Sequence, residues 1–214
     1  MNRRHYTPLD NLIGNVDNAM RTIFGKPQIT ERPDPAEGIE GVELTESERK
    51  HVAGLMRINH AGEVSAQGLY TGQALTARLP DVREKMERAA MEENDHLDWC
   101  EKRLDELVSH KSFLNPLWYF GSLTIGAIAG AAGDKWSLGF VAETEHQVIK
   151  HLDEHLEKLP AHDQKSRAVL EQMKEDEAHH ATVALQHGGA ELPGPVKLMM
   201  KTTSKIMTTL AYKV

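Results

Sequence analysis

Apolar positions along the chain fall into helical registers with few interruptions. After Pro8, the residues Leu9, Leu12, Ile13, Val16, Met20, Ile23 and Phe24 recur at helical spacing, so residues 1–24 are predicted to form a short amphipathic helix. Residues 25–44 carry Pro27, Pro33, Pro35, Gly38 and Gly41, and read as an extended linker with no core of its own. Thr45-Glu46-Ser47-Glu48 has the spacing of a capping box and starts a helix that runs to Leu79. Pro80-Asp81 makes a turn, and a second long helix continues to about Leu107. A third spans about Leu138 to Leu159, and a fourth spans about Asp163 to Gln186 and stops at Gly188-Gly189. These four helices form two hairpins, which gives an all-α four-helix bundle, the architecture that ferritin-like proteins share once an inward ligand set of the kind described below is present. Two domain segments follow, an N-terminal helix plus linker over 1–44 and the bundle over 45–214.

Two segments lie outside this pattern. Residues 117–132 are an uncharged run rich in Gly and Ala that connects the hairpins. It falls short of the ~20 apolar residues needed to cross a bilayer. Residues 195–214 carry Lys197, Lys201, Lys205 and Lys213 with no acid, alternating with Val196, Met199, Met200, Met207 and Leu210. Both can lie on a lipid surface, or can equally be core or dimer contacts.

The seams of the long helices hold the chemistry. On the second helix the steps of four and three run through Met86, Ala90, Glu93, Leu97, Cys100, Leu104 and Leu107. The matching seams pass through Met56, Asn59, Glu63, Ala66 and Tyr70; through Leu138, Val141, Glu145, Val148 and Leu152; and through Leu170, Met173, Glu177 and Ala184. Each long helix therefore aims one glutamate into the bundle. A buried unpaired carboxylate costs several kcal/mol, so four together require bound positive charge or protons. His96 and His180 follow Glu93 and Glu177 by three residues, on the same helix faces. Two Glu-x-x-His helices and one Glu from each of two others make the ligand set of di-iron and di-manganese bundles. The midpoints of Glu63/Glu93 and of Glu145/Glu177 fall at Arg78 and Ala161, beside the two predicted turns. All four carboxylates can thus meet at one level, roughly 23 Å from the turns.

Two alternatives stay open on spacing. Glu143 rivals Glu145 but lies two residues off the seam, and Asp176 with His179 is a shifted version of Glu177 with His180. His151 and His155 read as ordinary helix residues, with His151 placed to support Glu145 from behind. The chain carries 25 Lys+Arg against 32 Asp+Glu, a formal charge of −7, which argues against nucleic acid as the main partner. Its one cysteine, Cys100, excludes an internal disulfide and fits a reducing compartment. The N-terminus shows no secretory h-region.

Asn59-His60-Ala61-Gly62-Glu63, Glu93-Asn94-Asp95-His96 and Glu177-Ala178-His179-His180 resemble the demethoxyubiquinone hydroxylase family of ubiquinone biosynthesis. The resemblance covers residues 45–214 and leaves the first 44 outside it. It implies an O2-dependent monooxygenase with two iron ions held by Glu63, Glu93, His96, Glu145, Glu177 and His180. The implied reaction hydroxylates the ring of a 2-polyprenyl-3-methyl-6-methoxy-1,4-benzoquinol. A reductant is also required, with NADH one source. No glycine-rich nucleotide fingerprint is visible, so NADH would bind in another way or act through another protein. A tailed substrate implies a peripheral protein on a membrane surface inside the cell, the cytoplasmic face in a bacterium. A lipid-binding accessory protein or a second copy of the chain is a further implied partner. The competing reading is a ferritin-like ferroxidase or iron-storage protein.

Overall fold

The structure is a computed structural model and describes residues 7–214. The described residues form seven α-helices and no strand. They are α1 (Pro8–Phe24), α2 (Glu46–Thr76), α3 (Pro80–Glu106), α4 (Asn115–Ala131), α5 (Asp134–Lys158), α6 (Gln164–Gln186) and α7 (Gly194–Ala211). The first six residues of the predicted N-terminal helix lie outside the described residues. Helix α2 opens on the expected box, with Thr45 Oγ1 accepting from the Glu48 amide and the Glu48 carboxylate accepting from the Thr45 amide. It ends at Thr76, three residues before the predicted stop. Helix α5 starts one turn earlier than its seam suggested. There the Asp134 carboxylate accepts from the amides of Arg78 and Leu79 at 3.0 Å each and ties the first hairpin turn to the start of the second hairpin.

The hairpins α2/α3 and α5/α6 build the bundle, and two apolar clusters fill it. One contains Met56, Trp99, Cys100, Leu104, Leu152, Leu170 and Met173, toward the α5/α6 turn. The other contains Tyr70, Val82, Met86, Leu138, Val141 and Ala184, toward the α2/α3 turn. On every bundle helix the seam glutamate falls between a residue of one cluster and a residue of the other.

Helix α2 is buried on nearly every side because α4 and α7 pack on its outer face. The apolar run expected at a lipid surface therefore has a second role, as the partner of α2. A Cβ on Gly68 would lie 2.3 Å from the Tyr119 carbonyl oxygen, and one on Gly72 would lie 2.1 Å from that of Leu123. Gly126 meets the Leu69 carbonyl oxygen in the same way at 2.1 Å. Glycines on both α2 and α4 thus let the two helix backbones touch, while Leu117, Phe120 and Ile128 remain exposed on the other side of α4. Among the described residues no helix is long and apolar enough to cross a membrane.

The linker is docked along the bundle. Ala36 and Leu44 pack on the first apolar cluster, and Thr30 donates through its amide and hydroxyl to Asp95 at 2.8 and 2.7 Å. Buried polar pairs fasten the rest. Arg57 on α2 donates to the carbonyls of His110 and Tyr212 and to Ser109 Oγ, which pins the α3–α4 loop and the end of α7. Arg103 donates to Ser166 Oγ and Asp163 at the start of α6. On α5, His155 Nδ1 donates to Asn59 Oδ1 of α2 at 2.9 Å. Burial, followed by the positive charges of neighbouring His151, Lys158 and His51, pushes His155 down to about 3, so it is neutral in the folded protein.

Gly72→Ala should destabilise the fold. The overpacking strain of about 1–3 kcal/mol falls on backbone atoms that cannot swing aside, and it exceeds the ~1 kcal/mol gained in helix propensity. A lower urea midpoint is expected, and an unchanged or higher one contradicts the close helix contact. A second expectation concerns acid. A histidine whose folded pKa lies below its unfolded value near 6.5 contributes stability that is complete above that value. That contribution is lost as pH falls toward about 3. His155 alone should account for up to ~1.4 kcal/mol per pH unit in this window. His155→Gln should flatten the fall of the urea midpoint between about pH 6 and 4, and an unaltered slope would count against the neutral buried imidazole.

Candidate metal centre

The polar layer between the two apolar clusters contains all six side chains singled out from the sequence. Glu63, Glu93, His96, Glu145, Glu177 and His180 are all buried. One ligand-type atom from each of Glu63, Glu93, His96 and Glu177 lies within 4.8 Å of the others. His96 Nδ1 is 2.9 Å from Glu93, 3.3 Å from Glu177 and 3.8 Å from Glu63. His180 Nδ1 is 3.2 Å from both Glu93 and Glu177. Glu145 completes the layer from α5, accepting the hydroxyl proton of Tyr70. Each i, i+3 spacing turns its Glu and His to the same side of the helix, so α3 and α6 present matched pairs across the bundle.

Both imidazoles present Nδ1 to the carboxylates and turn Nε2 outward onto an acid. His96 Nε2 meets Asp176 at 2.8 Å, and His180 Nε2 meets Glu92 at 2.7 Å. Asp176 is gripped by Arg32 and accepts from Gln172 at 3.1 Å, while Arg88 donates to Glu92 at 2.6 Å. The Arg32 guanidinium also lies over the Trp99 ring, 5.0 Å from its centroid. These outer acids fix which ring nitrogen carries the proton and free the inner one as a donor, the arrangement that orients metal-binding histidines.

Charge confirms how crowded the layer is. Burial, with the like charges of Glu93 and Glu177, pushes the Glu63 carboxyl well above the usual range. Burial and the same two neighbours in reverse order raise Glu145. Burial opposes the charge on Glu93 as well, but the facing His96 and His180 hold it well below. Both imidazoles are raised in turn, the carboxylates outweighing their burial. Asp176, partly buried against His96 and Arg32, is held down to about 2. Protons on His96 and His180 thus supply positive charge that the carboxylates need. A divalent cation pair could supply it instead. The residues fit such a pair: oxygen and imidazole donors suit iron or manganese, and the buried Glu93 Oε1 has no neighbour of opposite charge but His180 Nδ1, itself a candidate ligand, 3.2 Å away.

The rival positions are elsewhere. Glu143 accepts from Gln147 at 2.8 Å and faces Lys197 at 3.4 Å, away from the layer. Asp176 lies behind His96, outside the inner group, and His179 is exposed. His151 pairs with Ser204 on α7 at 3.1 Å, and the support expected of it for Glu145 comes from Tyr70. Arg32 and Glu92 were not anticipated. Glu92 follows Arg88 at a common i, i+4 spacing and looks like surface decoration. Arg32 reaches Asp176 across 144 residues, which no local pattern signals.

A cavity of about 190 Å³ adjoins the layer and is bounded by α2, α4, α5 and α7. It is somewhat larger than the ~150 Å³ apolar cavity that accepts benzene. Glu63, Glu145 and Glu177 lie at its inner end, and Leu69, Trp118, Ile125, Val148, Met199 and Met207 contribute to its mostly apolar lining.

The model of the family described as ubiquinone biosynthesis protein COQ7 matches residues 50–211. A Nitrosococcus oceani protein named 3-demethoxyubiquinol 3-hydroxylase is 60% identical over 212 residues, 99% of each chain. Proteins of that name from Pseudomonas fluorescens and Acinetobacter baumannii are 58% and 57% identical. Alignment covers 99% of both chains for the former, and 98% of this chain and 99% of the relative for the latter. These matches extend through the N-terminal helix and linker, which the motif resemblance had left out. The chain belongs to the COQ7 family of ubiquinone biosynthesis proteins.

Proposed function

We propose that this protein hydroxylates the ring of demethoxyubiquinol, a 2-polyprenyl-3-methyl-6-methoxy-1,4-benzoquinol. Glu63, Glu93, His96, Glu145, Glu177 and His180 hold two iron ions for that purpose. The observation that carries the reading is the buried layer of four glutamates and two histidines at the inner end of an apolar cavity sized for an aromatic ring. The family relationship and the name of its relatives agree with it. An iron-storage protein takes no organic substrate and would have no use for that cavity.

Insertion of one oxygen atom from O2 into a ring C–H bond, with the other leaving as water, consumes two electrons and two protons. NADH, directly or through a partner, is the proposed source. Iron supplies the O2 activation that side chains cannot. The chain supplies the rest. Asp176 and Glu92 keep the outer protons of His96 and His180, so both Nδ1 atoms would be free to hold iron. Tyr70 keeps its own proton, because burial and then the Glu145 charge raise it well above its ordinary value, and so it steadies Glu145 as a donor. The apolar clusters above and below exclude water that would quench the reaction.

The substrate's tail calls for a lipid surface, and three helices offer one. Leu9, Ile13, Val16, Met20 and Phe24 form an exposed stripe on α1. Leu117, Phe120 and Ile128 on α4 and Leu198, Met199, Ile206 and Leu210 on α7 are exposed as well. The cavity lies between α4 and α7, with Lys201 and Lys205 exposed on α7 for anionic head groups. A lipid-binding accessory protein or a second copy of the chain would compete for this face.

Three measurements test the reading. Anaerobic titration should load two ferrous ions per chain, and aerobic turnover with a reductant should convert a demethoxyubiquinol into a product one oxygen heavier by mass spectrometry. A clean sample that binds no iron, or an unchanged quinol, refutes it. Asp176→Ala should weaken iron binding about 10–100-fold by competition with a chelator, and full retention would remove Asp176 from the centre. Co-sedimentation with anionic vesicles should occur at low salt and weaken as salt rises. Absence of binding even at low salt would assign the exposed face to a protein partner.

A further inference from the structure

Asn59 lies four residues before Glu63 on α2, one helical turn from the carboxylate layer, and lines the apolar cavity. Its side chain is only 6% exposed. Its Oδ1 accepts from His155 Nδ1, while its Nδ2 is buried with no hydrogen-bond partner. With Asn59 Oδ1 turned to the ring, the oxygen can only accept, so the proton of the neutral His155 is on Nδ1 and the amide nitrogen is the free end. The histidine is itself held. His151 stacks on it at 6.0 Å with ring planes 12° apart, and His151 bonds to Ser204 on α7. A second unpartnered donor belongs to the same lining, since Trp118 Nε1 is also buried without an acceptor.

Two N–H donors without partners, on residues that line a mostly apolar cavity but with almost no surface open to it in this structure, are unfavourable unless an acceptor oxygen of an occupant reaches them. We propose that Asn59 Nδ2, braced by His155, donates a hydrogen bond to a ring oxygen of the substrate. That bond sets the rotation of the ring, and therefore which carbon faces the carboxylate layer. Trp118 Nε1 supplies the second contact. The inference rests on the quinol reading above and deepens it: the site recognises oxygen on the ring, whereas the exposed apolar surface recognises only a tail. A site built to hydrogen-bond an oxygen rejects the analogue that lacks it strongly, because the donor is then left dry.

The test compares two ligands on the full-length protein under nitrogen: a decyl-tailed methoxy-methyl-benzoquinone, and decyltoluene, which has the same tail and no ring oxygen. Binding is read by calorimetry. Wild type should prefer the quinone by about tenfold or more. Asn59→Leu, close in size, should bind decyltoluene as well as wild type does and lose most of that preference, with iron stoichiometry unchanged. A full preference in Asn59→Leu overturns the assignment and leaves the amide to a bound water. If that variant does not fold, Asn59→Ser replaces it, with a reduced preference expected and an undiminished one overturning the proposal. In turnover, loss of the ring anchor should lower the fraction of reductant recovered as hydroxylated quinol, which a purely structural amide would not do. Failure of the parent reading looks different: wild type would then discriminate between the two ligands yet hydroxylate neither a quinol nor its short-tailed analogue.

Discussion

Four carboxylates share one level of a helical bundle, with apolar side chains above and below them. Burial strips most of the solvent screening from their charge, and the protein compensates from two sides. Imidazoles face them from within the layer, and a ring of outer acids and arginines holds those imidazoles in place. Much of what is unusual in the architecture follows from that requirement. The docked linker carries Arg32 to Asp176. Tyr70 is buried with its hydroxyl because Glu145 needs a donor. The two turns lie at opposite ends of the bundle, and all four helices contribute to the apolar cluster on each side of the layer.

The cavity and the outer helices depend on the same layer from another direction. The cavity that adjoins it is walled on its outer side by α4 and α7, helices that also carry exposed apolar side chains. Helix α4 combines two surfaces that look alike in composition: a glycine-lined side where backbones touch at α2, and a Leu/Phe/Ile side left exposed. A thicker α4 contact would push the wall away from Glu63 and Glu145.

The parts of this arrangement that the sequence made legible are those that depend on helix periodicity alone. The step pattern through Met86, Glu93 and Cys100 requires an inward glutamate whatever the other helices do, and the equal spacing of Glu63/Glu93 and Glu145/Glu177 about their turns requires a common level. The seam favoured Glu177 over Asp176 without closing the shifted alternative, because the two lie on overlapping faces of α6 and which one enters the layer depends on helix rotation. Arg32 was invisible because its meaning comes from a docked linker, and a proline-rich stretch looks the same docked or free. The glycines of residues 117–132 were ambiguous for a similar reason. Gly126 is a packing device only once the Leu69 carbonyl lies opposite it. The pairing of Asn59 with His155 likewise crosses between hairpins, and neither residue stands out within its own helix.

Arg32 and Asp176 are separated by most of the chain, and this has a consequence for how the protein is made. As the polypeptide is synthesised, the strap is complete before its anchor exists. The α2/α3 hairpin likewise displays Glu63, Glu93 and His96 while the helix that covers them is still unmade. Closure of so long a loop comes late in folding. A nascent chain therefore exposes half of a cation trap to whatever ions surround it, and only the finished one can bolt it shut.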